Sequence, residues 1–234
     1  MSPGTLFVVS TPIGNLEDIT LRAVRILGEV SAIACEDTRR TLKLLNRFNI
    51  KKPLLSYFQP HEGKRIPEIM ALLLQGRDVA LVSDAGTPGI SDPGYRLIAE
   101  AIRSGIRVTP IPGPSAAAAA LSASGLPTHR FLFIGFPPPK TEATRKWLLG
   151  LAEEEGTLVL YLPARRVEAF LNQVIESLGD RFVVMARELT KIHEEFARGL
   201  ASEILKRPGV RNLKGEVTLL IQGKSKKKPA IQNQ

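Results

Sequence analysis

Between Val79 and Gly94 the sequence passes abruptly from an apolar run, Val-Ala-Leu-Val, into Ser-Asp-Ala-Gly-Thr-Pro-Gly-Ile-Ser-Asp-Pro-Gly. The run has the length of a buried strand, and the segment after it is a loop of glycine, proline and small polar residues. A helical pattern from Tyr95 to Ser104 comes next. Strand, tight loop and helix in that order form the first half of a βαβ unit. In open α/β sheets ligands gather at the carboxyl ends of the strands. Gly86, Gly89 and Gly94 permit close backbone approach in this loop, and Pro88 and Pro93 stiffen it. Taken alone, the loop is equally well explained as a βα connection rich in turn formers. Further loops of the same character shift the balance towards a ligand site.

The first of these is Thr11-Pro12-Ile13-Gly14-Asn15, after a predicted strand at Thr5–Ser10. Asp18 or Thr20 then caps a helix carrying Leu21, Val24 and Leu27 on one face. Short strands are predicted at Ala32–Cys35 and Leu54–Tyr57, with a helix from about Thr41 to Phe48 between them. A helix over Ile66–Leu74 precedes the Val79 strand, and a fifth strand, Arg107–Ile111, ends in Pro112-Gly113-Pro114-Ser115 and an alanine-rich helix start. Ser124 to Thr128 reads as a break between halves. Beyond it lie a strand at Phe131–Ile134, the loop Gly135-Phe136-Pro137-Pro138-Pro139, a helix through Trp147, and a strand at Thr157–Tyr161. The loop Leu162–Arg166, a helix over Val167–Leu178, and a strand at Phe182–Ala186 come after these. An extended segment at Glu195–Gly199, a helix near Ser202–Lys206 and a last strand at Val217–Ile221 complete the pattern. Strands alternating with helices predict an α/β fold with a mostly parallel sheet in residues 1–114 and a mixed sheet in residues 115–223. Residues 224–234 have almost no apolar content and are expected to form a disordered basic tail.

The chain of 234 residues is 44% hydrophobic and 24% charged, the balance of a globular protein. Its net charge of +9 gives weak support to a polyanionic partner. The single cysteine, Cys35, excludes an intrachain disulfide. No apolar run approaches membrane-spanning length, so a cytoplasmic location without membrane contact is expected. The glycine fingerprint of dinucleotide binding is missing, as are the phosphate loop of nucleotide hydrolases and the Gly-x-Ser-x-Gly elbow. Three scattered histidines and one cysteine offer no metal-ligand spacing, so no metal is expected.

Several segments together resemble one family. They are Thr11-Pro12-Ile13-Gly14-Asn15-Leu16, Glu36-Asp37-Thr38-Arg39, the Val79–Gly94 stretch, Pro110-Ile111-Pro112-Gly113-Pro114-Ser115-Ala116 and Ala186-Arg187-Glu188-Leu189-Thr190-Lys191. In this order, from about Gly4 to Gln222, they are similar to the 16S ribosomal RNA cytidine 2′-O-ribose methyltransferases, a branch of the tetrapyrrole-methylase class. One departure is Ser56-Tyr57-Phe58-Gln59-Pro60-His61-Glu62, where members more often show Tyr-His-Glu-His-Asn. The resemblance implies two α/β domains with S-adenosylmethionine in a cleft between them, a small-subunit ribosomal RNA substrate methylated in its decoding region, and a homodimer. It also implies cofactor contacts at Pro12, Ala85, Gly86, Thr87, Ile90, Ser115, Ala116, Leu162, Leu189 and Thr218. Glycine and small residues suit close backbone contact, and the helix start at Ser115 offers unpaired N–H donors. Ala116 and Leu162 are equally consistent with simple packing.

Methyl transfer to a ribose 2′-hydroxyl needs alignment and gains from a general base. The candidates for the chemistry are Glu36, Asp37, Arg39 and Asp84 in the first half, and Arg187, Glu188, Lys191 and Glu194 in the second. Lys191 fits a phosphate contact better than a base, because a base would need a depressed pKa. Arg39, Arg40, Arg165, Arg166 and Arg187 suit phosphate contacts. Each of these charges could instead belong to a surface ion pair. His61 and His193 are minor candidates. Two other readings stay open: a methyltransferase acting on a tetrapyrrole or another small substrate, and a non-catalytic RNA-binding assembly module.

Overall fold

A computed structural model describes residues 2–58 and 62–224. The chain divides into two compact units between Ser115 and Ala116, upstream of the Ser124–Thr128 stretch.

The first unit is built on a wholly parallel sheet. Its strands are β1 (Thr5–Val9), β2 (Ala32–Cys35), β3 (Leu54–Ser56), β4 (Val79–Val82) and β5 (Arg107–Ile111), in the order β3-β2-β4-β1-β5. The helices between them are α1 (Leu21–Glu29), α2 (Thr38–Arg47), α3 (Glu62–Leu74) and α4 (Tyr95–Arg103). Strand β4 is buried on both faces, as a continuous apolar run in a parallel sheet must be. Val79 and Leu81 pack in one core with Leu97 and Ala101 of α4, while Ala80 and Val82 pack in the other with Ala23 and Leu27 of α1. The period of two along β4 thus serves two cores.

Local chemistry sets the helix starts. Thr20 caps α1 by accepting the Ala23 N–H at 3.1 Å, whereas Asp18 ends a short 3-10 turn. Asp37 caps α2, so that helix begins at Thr38, three residues earlier than the apolar pattern suggests.

The second unit has a mixed sheet. Its strands are β6 (Phe131–Phe133), β7 (Thr157–Pro163), β8 (Phe182–Arg187), β9 (Glu195–Leu200) and β10 (Glu216–Ile221), ordered β6-β7-β10-β8-β9. Only β6 and β7 run parallel. Its helices are α5 (Ala116–Ser122), α6 (Thr141–Leu149), α7 (Val167–Leu178) and α8 (Ala201–Leu205). Strand β7 extends through Leu162 and Pro163, which the sequence pattern assigns to a loop, because Leu162 pairs with Val217 and Pro163 with Glu216 on β10. Among the described residues no helix is long and apolar enough to cross a membrane. His61 and the tail from Ser225 onward lie outside the described residues.

Candidate active site

In the first unit all five strands point the same way, so their carboxyl ends share one edge. The chain leaves β1 towards β2 and leaves β4 towards β5, in opposite directions from adjacent strands. Accordingly α1 and α4 pack into different cores. The crevice between the β1 and β4 loops is therefore a topological switch point, where open sheets bind their ligands.

Three loops are laced together at this point. Thr11 and Gly86 exchange backbone hydrogen bonds at 2.9 and 3.0 Å, and Thr11 Oγ1 donates to the Ser83 carbonyl at 3.1 Å. Ser10 Oγ lies 2.9 Å from Thr87 Oγ1, which also reaches the Pro114 carbonyl at 3.4 Å. Gly86 takes φ +84°, a conformation that glycine adopts without penalty. A Cβ there would make only ordinary contacts, with Ile13 Cγ2 at 3.6 Å and the Pro114 carbonyl oxygen at 3.9 Å, so the converging loops cradle that backbone without crowding it. Gly113 has no such room, since a Cβ would come within 2.9 Å of Ser10 Cβ. Gly113→Ala is expected to push the β1 and β5 loops apart and cost about 1–3 kcal/mol. A thermal melt tests this, and an unchanged Tm would contradict it.

Next to the cradle, at the ends of β2 and β4, lies a charged cluster. The Asp37 N–H donates to Asp84 Oδ1 at 2.9 Å, tying the β2 loop to the β4 loop. Asp37 accepts the Arg39 N–H at 2.8 Å and both ends of its guanidinium at 3.1 and 2.8 Å. Those hydrogen bonds hold its carboxyl down to about 2. Arg40 approaches Asp84 Oδ2 at 3.5 Å. Burial, with Asp84 and Asp92 nearby, pushes the Glu36 carboxyl up, against the pull of Arg40.

Asp92 escaped the sequence reading. It is half-buried, with the Ser83 hydroxyl and the Asp84 carboxylate nearby. Burial raises its carboxyl to about 6, with Asp84 adding and Ser83 opposing. Ser91 before it sits at φ +62°, and strain of that kind in a non-glycine residue gathers at functional loops. The available signal was a second Ser-Asp pair, Ser91-Asp92, in the same loop as Ser83-Asp84.

The second unit gathers Arg187, Glu188 and Lys191 into a separate cluster. Lys191 Nζ lies 3.0 Å from both Glu188 Oε1 and Glu216 Oε2. Burial alone would lower the ammonium, but the two carboxylates outweigh it and hold it above its ordinary value. Lys191 is thus arranged as a cation. Glu188 also accepts the Glu216 N–H at 2.9 Å, and although burial opposes ionisation, that bond and Lys191 keep its carboxyl low. Arg187 shares Glu195 with Arg207, at 3.3 and 3.0 Å. Glu194 accepts the Thr190 N–H at 2.6 Å, and His193 is exposed. Glu188 and Thr190, at φ +50° and +66°, bracket the buried Leu189.

The remaining residues implicated in cofactor contact are spread over both units. Pro12, Ala85, Gly86 and Thr87 line the laced loops, and Ile90 is about half exposed beyond them. Ser115 ends the first unit and Ala116 opens the short helix α5 of the second. Leu162 packs in the core of the second unit, and Thr218 is buried on β10 between Tyr161 and Ala186. Arg166 spends its guanidinium on the Pro137 and Pro138 carbonyls, whereas Arg165 is exposed with no ion pair among the described residues.

A parallel α/β unit with a laced switch-point loop, joined to a mixed-sheet α/β unit, defines a class. The family model for tetrapyrrole (corrin/porphyrin) methylases matches residues 5–205, and the chain belongs to that family. Two solved structures share the fold. Uroporphyrin-III-C-methyltransferase from Thermus thermophilus is 22% identical with a TM-score of 0.66, covering 94% of each chain. A cobalt precorrin-4 methyltransferase is 18% identical with a TM-score of 0.66, covering 93% of this chain and 94% of the other. Within the family the chain has much nearer relatives, named ribosomal RNA small subunit methyltransferase I. That of Thermotoga maritima is 48% identical, covering 94% of this chain and 99% of the relative. That of Halalkalibacterium halodurans is 47% identical, covering 96% of this chain and 78% of the relative.

Proposed function

We propose that this protein transfers a methyl group from S-adenosylmethionine to the ribose 2′-hydroxyl of a cytidine in the decoding region of small-subunit ribosomal RNA. The observation that carries the substrate class is the 48% identity, over nearly the whole of both chains, to a relative named for small-subunit ribosomal RNA. The basic net charge of +9 agrees with it.

The uncrowded Gly86 backbone, with Ile13 and the Pro114 carbonyl as its neighbours, fits a cofactor that needs close backbone approach. Pro12, Ala85, Gly86, Thr87 and Ile90 would hold it in the first unit. Ser115, Ala116, Leu162, Leu189 and Thr218 are the further candidates, with the buried Leu162 and Leu189 limited to backbone contact. When bound, S-adenosylmethionine supplies a methyl group already activated on a sulfonium.

The chain's own part is to align the hydroxyl and take its proton. Among the acids, Asp37 is committed to Arg39, Glu188 to Lys191, and Asp84 to the Asp37 N–H. Asp92 makes no ion pair among the described residues, lies near the Ser83 hydroxyl in the switch-point loop, and is the group we assign as proton acceptor. Burial, with repulsion from Asp84, keeps that carboxylate basic. Arg165 is left for phosphate contact, Arg39 and Arg40 could reach a phosphate only while shared with Asp37 and Asp84, and Lys191 and Arg187 serve chiefly to stiffen their own turn.

Incubation with labelled S-adenosylmethionine and either unmethylated small ribosomal subunits or a uroporphyrinoid tests the substrate class. Label in the RNA is expected. Label in the tetrapyrrole alone would favour the small-molecule reading, and label in neither, without cofactor binding, the assembly module. RNA affinity should also fall by orders of magnitude as salt rises from about 50 to about 200 mM, if about six or more phosphates are contacted. A flat salt response would contradict the phosphate contacts.

A further inference from the structure

The loop between β6 and α6 is stiff to a degree that its sequence only partly explains. Tyr161 on β7 donates its N–H to the Gly135 carbonyl at 2.9 Å, and Gly135 turns the chain at φ +65°. Three prolines, Pro137 to Pro139, come next with φ fixed. Arg166 then clamps the loop through the Pro137 and Pro138 carbonyls at 3.3 and 2.6 Å, and Thr144 Oγ1 adds a bond to Pro138 at 2.8 Å. This bracing presents the ring of Phe136, which is 57% exposed. The ring is backed edge-on by Tyr161 at 5.5 Å, and Tyr161 is backed in turn by Phe133 at 5.0 Å. A flat apolar side chain held open to solvent by an arginine, two strands and three prolines is pre-organised for a contact.

The border of this ring says what kind of contact. Residues 135–141 and 157–166 contain no acid. Lys140 and Arg165 are exposed and make no ion pair among the described residues, while the acids next in sequence are engaged, Glu142 with Arg145 and Glu168 with Arg211, as is Glu216 opposite Pro163, with Lys191. An exposed ring with an unpaired lysine four residues on in its own loop, and an unpaired arginine beside the Arg166 that braces it, matches the two parts of a single-stranded nucleotide, a base that stacks and phosphates near it.

We infer that Phe136, backed by Tyr161, is a stacking platform for an unpaired base of the RNA, with Arg165 and Lys140 on the neighbouring phosphates. The inference rests on the proposed RNA substrate and adds a binding subsite to it. Arg166 is then a positioning residue that holds the platform's loop.

The test uses the whole protein and unmethylated small ribosomal subunits. Phe136→Ala is expected to weaken RNA affinity about 5- to 150-fold, with cofactor affinity, melting temperature and oligomeric state unchanged. Phe136→Trp is expected to restore binding. Because stacking is uncharged, Phe136→Ala should leave the slope of log affinity against log salt as it was, while Arg165→Gln should make it shallower by about one. Unchanged RNA affinity in Phe136→Ala would overturn the inference while leaving the RNA reading intact. Loss of cofactor binding would make Phe136 a cofactor contact, and loss of an oligomer would make the ring an interface between copies; either overturns it. Failure of the wild-type protein to bind RNA would overturn both readings together.

Discussion

Asp92→Asn is expected to slow methyl transfer by about 10²–10⁴-fold and, at pH 7, to make the first unit more stable. The two effects share one cause. The Asp92 carboxyl is raised from 3.8 to about 6 by burial, with Asp84 adding to it. Between those two values the folded protein binds a proton that the unfolded chain does not. The stability this proton contributes is fully present below the unfolded value and is lost as pH climbs through about 6. At neutral pH the folded protein therefore carries an unfavourable charge on the order of 2 kcal/mol, which asparagine removes. Glu36, raised by burial and the same neighbours, adds a slope of the same sign. Asp37 works the other way, but only below its unfolded value. Activity has the opposite profile. A base must be ionised, so single-turnover rates should rise with pH through about 6 and level off above it. Measured from pH 5 to 8, the asparagine variant should lose that limb and Asp92→Glu should keep part of it. A variant with native rates, or one that is slow and also less stable at pH 7, would remove Asp92 from the chemistry.

Gly86→Val is expected to lower cofactor affinity by two orders of magnitude or more while the chain still folds. A Cβ at this position meets only ordinary contacts, 3.6 Å to Ile13 and 3.9 Å to Pro114, but the branched methyls would occupy the cradle between the three loops. The backbone at φ +84° adds strain of about 1–3 kcal/mol, so a lowered but cooperative melt is expected. Gly86→Ala bears comparable strain and fills less of the cradle, which separates the two causes. Titration calorimetry with S-adenosylmethionine, read beside the melting curves, decides. Affinity within a few-fold of wild type in the valine variant would place the cofactor elsewhere.

These two residues mark what a reader of the sequence can and cannot see. Gly86 stands out because an apolar run stops at Ser83 and turn formers come after it, a local pattern that also reveals the ends of β1, β2 and β5. Asp92 looks like any turn former before proline. Its unusual carboxyl depends on burial, on Ser83 and on Asp84, which only the folded loop assembles. The same division holds elsewhere. Leu162 and Pro163 look like loop because Pro163 interrupts the apolar run, and only the pairing with β10 makes them strand. The parallel sheet of the first unit is legible in alternating strands and helices, whereas the antiparallel β8-β10-β7 arrangement depends on contacts remote in sequence. Phe136 appears in the sequence as a loop aromatic, and its bracing by Arg166 is visible only once the two loops meet. Arg166 itself looked like a phosphate contact, because a guanidinium spent on backbone carbonyls has no sequence signature.

The measurement that bears most directly on the proposed activity is nucleoside-resolved mass spectrometry of small-subunit RNA after methyl transfer by the purified protein. Subunits from cells lacking the protein, treated with isotopically labelled S-adenosylmethionine and digested, should yield label in 2′-O-methylcytidine from the decoding region, and little with Asp92→Asn. Label on a nucleobase, or on a ribose elsewhere in the RNA, would contradict the proposed reaction or its target.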